Sequence, residues 1–431
     1  MNLNPELQRQ LILECSPARM IGAPTVLGAV FTLTYFLDGY QLGNLTAQAS
    51  LTLFMLINLL WGTRQTADSI VEEYRDRTWD TQRLSALSPW QMTVGKLFGS
   101  TSMVWYCAAM CLLVYSLATD NPAALPLLYF YALGTSLLVQ SAGLTLGLLA
   151  VQRGQYKTGS ILGLALLGFV IVAPQLADIS SMSGYLAEFT QHRYWYNIAV
   201  NQQYLHQISL LCALFWCIMS NYRLLAQDLG LRNLPWAWLG FSLFLMVYLG
   251  GFIPNSSYAF SLAAFGVCIL LTYVGVIVER HDPLRIKRLM AYWQQANWRR
   301  VGEEMPLSAL SFSLSLPFAI FLSFHQQQFA WLNISLHAYP LAVALLVLRD
   351  CAVYLFFCYG KNPQRAFSLS LLSAALLYGI LPGLFSAIGM TGVAALFFPL
   401  WADSAIGALL FAAIQCGLIL SLLYRRWQQS I

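Results

Sequence analysis

Residues 68–96 read DSIVEEYRDRTWDTQRLSALSPWQMTVGK and form a dense polar insert between two long apolar runs. The chain has 23 basic and 18 acidic residues, only 10% of its length, and nine of them fall in this insert. Loops positioned by a rigid scaffold often carry function. We call residues 68–96 the charged loop and expect it to contact a partner outside the membrane.

The sequence around the charged loop is apolar, with hydrophobic residues making up 58% of the chain. A helix needs about 20 apolar residues to cross the ~30 Å hydrocarbon layer, and a spanning segment must satisfy its own backbone hydrogen bonds. The sequence therefore predicts an all-α polytopic membrane protein with about 12 transmembrane helices. The predicted spans lie near 20–37, 48–66, 93–118, 124–150, 158–177, 207–225, 235–253, 258–278, 307–324, 338–358, 367–388 and 404–424.

The distribution of positive charge predicts the orientation of these spans. An even number of spans places both termini on one side, and Lys and Arg are enriched in cytoplasmic loops. With the N-terminus inside, 21 of the 23 Lys and Arg residues fall on cytoplasmic loops or span ends, leaving Arg193 outside and Arg349 within a span. We therefore expect an integral protein of the plasma membrane, the inner membrane in a bacterium, with both termini cytoplasmic. The net charge of +5 follows from this bias and requires no nucleic-acid partner.

Weak internal similarity divides the chain into two halves. The triplet Ile-Val-Glu at 70–72 recurs at 277–279, and Leu-Leu-Val at 137–139 recurs at 345–347. Two halves of six spans each share one orientation, as in parallel transporter repeats. The predicted organisation is an interfacial helix at 1–19, a first six-helix half at 20–226, a cytoplasmic linker at 227–234 and a second six-helix half at 235–431.

The N-terminal segment predicts a short helix before the first span. Asn4 is a suitable N-cap and Pro5 a suitable first helical residue. Leu7, Leu11 and Cys15 share one face at four-residue spacing. We expect this helix to lie in the cytoplasmic interface.

The charged loop resembles a motif of ABC-2 type permeases. In that family Glu and Gly-Thr are followed by Leu residues, Pro and Gly-Lys, and Arg77 stands here at the usual Gly position. The opening residues 4–7 also resemble the first element of the family, whereas residues 279–306 lack the motif. The matching residues are Glu73, Thr78, Trp79, Leu84, Leu87, Pro89, Gly95 and Lys96.

This resemblance implies the ABC-2 (type V exporter-like) permease fold and the membrane subunit of an ATP-driven exporter. The sequence has no GxxxxGK[ST] phosphate loop. We therefore expect no enzymatic activity, no bound cofactor and no metal site in this chain. ATP and Mg²⁺ would be bound by separate cytosolic ATPase subunits, two copies per complex, and the other partner would be the lipid bilayer.

Two sets of residues are candidates for coupling to such an ATPase. The first lies in the charged loop and comprises Glu73, Arg77, Thr78, Trp79, Asp80, Arg83, Leu84, Leu87, Pro89, Trp90 and Lys96. The second lies in the counterpart loop of the second half and is either another docking site or a basic loop that binds anionic lipid. Its members are Glu279, Arg285, Arg288, Trp293, Trp298 and Arg299.

Arg349 and Asp350 are predicted to lie inside the tenth span. Intramembrane charge is costly and commonly marks either function or a specific structural partner. Because the two residues are adjacent, we expect their side chains to point in different directions.

Two other functions are compatible with a chain of this kind. A major-facilitator type secondary transporter also has twelve spans in two parallel halves, but it carries a Gly-Asp-Arg-Gly-Arg type loop that the charged loop does not resemble. A membrane-embedded transferase would require a cluster of acidic or His residues at one membrane face, and the predicted external acids are scattered.

Overall fold

The computed structural model describes residues 4–85, 87–152, 192–231, 234–253, 257–325, 328–329, 334–335, 339–402 and 404–430. The chain divides into two compact units. Unit 1 consists of Met1–Arg193 and Ala199–Asn233, and unit 2 consists of Tyr194–Ile198 and Leu234–Ile431. The main change of unit along the chain therefore falls between Asn233 and Leu234, at the end of the predicted linker.

Unit 1 is built from helices. In chain order they are α1 (Pro5–Glu14), α2 (Pro17–Leu37), α3 (Asn44–Met55), the π-helical segment Leu56–Trp61, α4 (Gly62–Arg75), α5 (Trp79–Arg83), α6 (Pro89–Val94), the π-helical segment Gly95–Gly99, α7 (Ser102–Ala118), the 3₁₀ turn Pro122–Ala124, α8 (Leu125–Gln152) and α9 (Gln202–Asp228).

Unit 2 is helical as well. Its elements are α10 (Trp236–Gly250), α11 (Ser257–Val278), α12 (Pro283–Gln294), α13 (Trp298–Glu304), α14 (Leu307–Phe324), α15 (Tyr339–Cys358), the 3₁₀ turn Pro363–Arg365, α16 (Ala366–Ala375), the π-helical segment Leu376–Ile380, α17 (Leu381–Ala387), α18 (Thr391–Phe397), the 3₁₀ turn Pro399–Trp401 and α19 (Ala405–Ser430). The strands of the described chain are short: β1 (His192–Trp195), β2 (Ile198–Asn201), β3 (Gln328–Phe329) and β4 (Ile334–Ser335).

The described residues include nine helices that are long and apolar enough to cross a membrane. The number is ten if Pro89–Gly99 and Ser102–Ala118, which meet at a bend of 48°, are counted as one span. Helix Trp236–Gly250, a predicted span, is shorter, and the predicted span at 158–177 lies outside the described residues. The chain is therefore an all-α polytopic integral membrane protein, as predicted, and the count of twelve spans stays a prediction.

Local capping signals determine several helix starts. Ser88 and Gln91 form a capping box, because the Ser88 hydroxyl accepts from the Gln91 amide and the Gln91 side chain accepts from the Ser88 amide. Asn4 caps α1, and both α1 and α2 carry Pro at their first position. These starts were predictable because each depends on residues within one helical turn.

Small residues bring α8 close to α4 in unit 1. A Cβ on Gly143 would lie 2.7 Å from the Thr63 carbonyl oxygen, and a Cβ on Gly147 would lie 2.9 Å from the Ala67 carbonyl oxygen. Such small-residue pairs let helix backbones approach closely in membranes.

Candidate functional site

The charged loop consists of three helices rather than one rod. Helix α4 continues from its span to Arg75, α5 is a single short helix, and α6 begins at Pro89. The turn between α4 and α5 is closed by the Thr78 amide, which donates to the Glu73 carbonyl at 2.9 Å, and the Arg77 amide, which donates to the Tyr74 carbonyl at 3.2 Å. This is the hydrogen-bond pattern of a Schellman motif.

Arg77 has the left-handed backbone conformation that the Schellman motif requires. Its φ angle is +58°, a value that favours glycine because a Cβ crowds the neighbouring carbonyl there. Arg77 is also the position at which the resembled family usually has Gly. The backbone of this turn therefore has a conformation that Gly, the residue usual at this position in the resembled family, adopts without strain.

Trp79 anchors the turn inside unit 1. Its side chain is 1% exposed and stacks on the Tyr74 ring, with centroids 5.1 Å apart and planes 23° apart. The Tyr74 hydroxyl donates to Asp228 Oδ2 at 3.2 Å, at the end of α9. The start of α5 is therefore fixed to the end of a second helix of unit 1.

A buried ion network joins the charged loop to helix α1. Lys96 Nζ donates to Glu73 and, at 3.4 Å, to Glu6 Oε1. Arg9 donates to Glu6 Oε1 at 2.8 Å and also to Glu73, and Gln10 Nε2 donates to Glu6 Oε1 at 3.0 Å. We call these five residues the loop network.

The charges of the loop network balance, with two carboxylates against two cations. Lys96 is fully buried and Glu6 is 1% exposed, and buried charges are tolerated only when they are paired. Burial alone would raise the pKa of Glu6, but the hydrogen bond from Arg9 and the charge of Lys96 outweigh it and lower that pKa. The hydrogen bond to Glu6 is the main cause that raises the pKa of Arg9.

Two glycines allow α1 to approach the π-helical segment that carries Lys96. A Cβ on Gly95 would lie 2.7 Å from Glu6 Cβ and 3.0 Å from the Leu7 amide nitrogen. A Cβ on Gly99 would lie 2.6 Å from Gln10 Cβ. The Gly-Lys pair of the motif thus combines a close contact with an ion pair.

Helix α1 is attached to unit 1 chiefly through polar side chains. The buried residues of the helix are polar, Glu6 and Gln10, whereas Ile12 and Leu13 are exposed. The apolar residues that share one face, Leu7, Leu11 and Cys15, are half-buried, and the location of α1 in the cytoplasmic interface stays a prediction. The exposed Ile12 and Leu13 suit a lipid interface.

The structure separates the predicted coupling residues of the charged loop into two groups. The buried members, whose side chains support the loop from within, are Glu73, Trp79, Pro89 and Lys96. Leu87 is half-buried. The members whose side chains are exposed are Arg77, Thr78, Asp80, Arg83, Leu84 and Trp90. Only the exposed group is available for direct contact, and its member Leu84 is 89% exposed.

Five of the six members of the second predicted set lie on a pair of helices, α12 and α13, which we call the basic hairpin (residues 283–304). The sixth, Glu279, directly follows α11. Arg285 donates to Glu279 Oε1 at 2.9 Å and to the carbonyls of Glu304 and Met305 at 2.9 and 3.0 Å. Arg288 bonds Glu304 Oε1 and Asp282 Oδ2, each at 3.2 Å. Burial is the main cause that raises the pKa of Glu279, against the charge of Arg285. These residues hold the hairpin together.

The remaining members of the second set are exposed. Trp293 and Trp298 pack edge to face with centroids 5.1 Å apart and are 58% and 63% exposed. Arg299 is exposed and forms an ion pair with Glu303 at 3.5 Å.

Arg349 and Asp350 form a network within unit 2. Arg349 is 1% exposed, donates to Asp350 Oδ1 from Nε at 3.0 Å and from Nη2 at 2.7 Å, and also donates to Gln415. The hydroxyls of Tyr273 and Tyr378 donate to Asp350 Oδ2 at 2.9 and 2.7 Å. The expectation that the two charged side chains point apart is wrong, because the long Arg349 side chain folds back onto its neighbour.

Each π-helical segment carries a polar residue that bonds a neighbouring helix. Asn58 Oδ1 accepts from Gln140 Nε2 at 2.8 Å, Lys96 bonds Glu73, and Tyr378 bonds Asp350. A π turn rotates the residues that follow it, and such turns are frequent at functional sites. None of these segments was predicted from the sequence, and neither were the partners Arg9, Gln10 and Gln415, since none of them has a local signature.

In the part of the chain that the structure describes, no group of three or more His, Cys, Asp or Glu residues is placed to hold a metal ion. Comparison with protein-family models, with curated proteins and with solved structures finds no match to this chain. The functional assignment therefore depends on the residues and their geometry.

Proposed function

We propose that this chain is the membrane-spanning permease subunit of an ATP-driven ABC exporter and that it couples cytosolic ATPase subunits to substrate translocation. Its orientation has both termini in the cytoplasm, and its membrane is the plasma membrane, the inner membrane in a bacterium. The chain binds no nucleotide itself. ATP and Mg²⁺ are bound by the partner subunits.

The observation that carries the proposal is the loop network. It joins Glu73 of α4 to α1 and to the π-helical segment Gly95–Gly99 through paired charges. The exposed face of α5 follows directly, because the Thr78 amide bonds the Glu73 carbonyl. A force on the exposed face reaches two helices of unit 1 because the buried pairs cannot separate without leaving unpaired charge. Such a rigid connection suits a loop that a motor protein moves.

The composition of the exposed face also suits a protein partner. It combines Arg77, Asp80 and Arg83 with Leu84 and Trp90, all exposed. Interfaces concentrate their binding energy in a few Trp, Tyr and Arg residues surrounded by weaker contacts. No feature of the charged loop favours the major-facilitator alternative, which needs no ATPase.

The test is purification of the tagged chain from its native membrane, followed by measurement of vanadate-sensitive ATP hydrolysis. We expect vanadate-sensitive ATPase activity to co-purify with the parent chain. This activity should be lost from the preparation of the double variant Arg83→Glu/Leu84→Asp. The control, Arg365→Glu, reverses the charge of an exposed residue outside both candidate coupling sets and should retain the activity. Folded parent protein that carries no ATP hydrolysis, yet moves cargo along an ion gradient, would contradict the proposal.

A further inference from the structure

Most of the basic hairpin, residues 283–300, carries charge of one sign. This segment has no acidic residue, and its basic residues are Arg285, Lys287, Arg288, Arg299 and Arg300. Arg285 and Arg288 are held by acids that flank the segment. Lys287, Arg299 and Arg300 are exposed, and Arg299 also forms its ion pair with Glu303.

Apolar and aromatic side chains are interleaved with these charges. Leu284, Met290, Trp293 and Trp298 are between 49% and 63% exposed. Lys287, Met290 and Trp293 follow one another at three-residue spacing, so they lie along neighbouring positions of α12. The exposed surface of the hairpin is therefore both basic and apolar.

The turn of the basic hairpin repeats the turn of the charged loop. Ala296 has φ of +52°, the Asn297 amide donates to the Tyr292 carbonyl and the Ala296 amide donates to the Trp293 carbonyl, each at 3.0 Å. Trp298 follows at the start of α13. Tyr74, Arg77 and Trp79 occupy the matching positions in the charged loop, but Trp79 is buried there. The aromatic pair of the hairpin has no such pocket within the described chain.

The base of the hairpin is fixed at the ends of membrane spans. Arg285 joins the end of α11, through Glu279, to the start of α14, through Met305. Trp427, near the end of α19, donates from Nε1 to the Pro283 carbonyl at 2.9 Å. The hairpin therefore begins beside the ends of three helices that are long and apolar enough to span a membrane.

We infer that the basic hairpin is an anchor for the surface of an anionic bilayer, in which Lys287, Arg299 and Arg300 bind phospholipid headgroups and Trp293 and Trp298 enter the interface. Trp prefers the headgroup level of a membrane. Basic amphipathic helices with Trp and Leu lie in the interface plane, and each basic residue adds attraction to anionic lipid. The inference depends on the hairpin alone and not on the proposed ATP-driven mechanism.

The two loops differ in the partner that their charges fit. The charged loop has five acidic and four basic residues, a mixed pattern that suits a protein surface of mixed charge. The hairpin segment is uniformly basic, which suits the uniform negative charge of an anionic leaflet. An anionic lipid surface therefore matches the hairpin better than a protein of mixed charge does. Contact with an ATPase subunit is the alternative partner that the experiment can reveal.

The test measures amide hydrogen exchange of residues 283–300 in the full chain, in nanodiscs of phosphatidylcholine with and without phosphatidylglycerol. We expect exchange at least about 10-fold slower in the anionic discs, since three basic residues contribute together. The effect should disappear in about 1 M salt, where the Debye length is ~3 Å. It should also disappear in Lys287→Gln/Arg299→Gln/Arg300→Gln.

The control variant, Arg75→Gln/Arg77→Gln/Arg83→Gln, removes the same number of positive charges from the charged loop and should leave exchange of 283–300 slow. Unchanged exchange elsewhere in the chain verifies that each variant is folded. Equal exchange of 283–300 in both lipids would overturn the inference. The inference would also be overturned if exchange of 283–300 slowed only when an ATPase partner was added and not when anionic lipid was present. That result would assign the hairpin to protein docking.

Discussion

Trp79 and Trp298 begin short helices after turns of the same geometry, yet the first is 1% exposed and the second 63%. Each follows a residue with positive φ by two positions, Arg77 in one turn and Ala296 in the other. Each also contacts an aromatic ring of the preceding helix at a centroid distance of 5.1 Å. The same turn geometry therefore places the Trp79 side chain in the core of unit 1 and exposes the Trp293–Trp298 pair at the surface of unit 2.

Replacing Arg77 by Gly should stabilise the turn. A left-handed conformation costs a residue with a Cβ about 1–2 kcal/mol, and the greater freedom of Gly in the unfolded chain offsets about 0.5–1 kcal/mol of that. We expect the free energy of unfolding, measured by denaturant titration in mixed micelles, to rise by roughly 0.5–1 kcal/mol. Ala296→Gly is the matched variant and should behave alike, while a decrease in both would show that the turns are not strained.

Replacing Lys96 by Met should break the loop network. The variant leaves Glu6 and Glu73 with Arg9 as their remaining cation, and removal of one partner of a buried ion pair costs about 3–5 kcal/mol. We expect a loss of that order in the same unfolding measurement. The double variant Glu73→Gln/Lys96→Met restores the charge balance and should recover most of the loss. A double variant as unstable as the single one would show that packing, rather than charge, explains the effect.

The attachment of α1 should weaken in acid. Because the folded pKa of Glu6 lies below its ordinary value of 4.5, its contribution to stability is complete above that value and is lost as the pH falls through the lower folded pKa. The protection of amides 5–14 against hydrogen exchange, after correction for the intrinsic exchange rate at each pH, should therefore fall below about pH 4.5. The variant Glu6→Gln should lose this pH dependence, and an unchanged pH profile in that variant would assign the effect to another group.

Adding a methyl group at Gly95 should displace α1 from the charged loop. The new Cβ would lie 3.0 Å from the Leu7 amide nitrogen, a backbone atom that cannot move alone. Overpacking of this kind costs about 1–3 kcal/mol, so exchange of the α1 amides should accelerate in Gly95→Ala. In the control Gly28→Ala nothing lies within 4 Å of the new Cβ, and α1 should remain attached.

The features that were predictable from the sequence are local ones. Apolar runs indicate most of the described spans because length and composition are enough to identify them, and the cap at Ser88 depends on residues within one turn. The loop network was not predictable because Glu6 and Lys96 are 90 positions apart. The left-handed turn was also hidden, since Arg77 replaces the Gly that would have signalled it.

The Arg349 network should behave as a structural link whose two charges depend on each other. Asp350 accepts from Tyr273 on α11 and from Tyr378 in a π-helical segment, while Arg349 binds Gln415 on α19. Asp350→Asn leaves the buried Arg349 charge without its partner, and Arg349→Met leaves the half-buried Asp350 charge without its partner. Each should therefore lower the unfolding free energy, by about 3 kcal/mol or more for the buried Arg349 charge. The double variant Arg349→Met/Asp350→Leu removes both charges and should lie closer to the parent, because apolar side chains often replace a buried pair without loss. The measurement is a double-mutant cycle by denaturant titration in mixed micelles. Additive losses would contradict the link, since they would mean that the two side chains act independently.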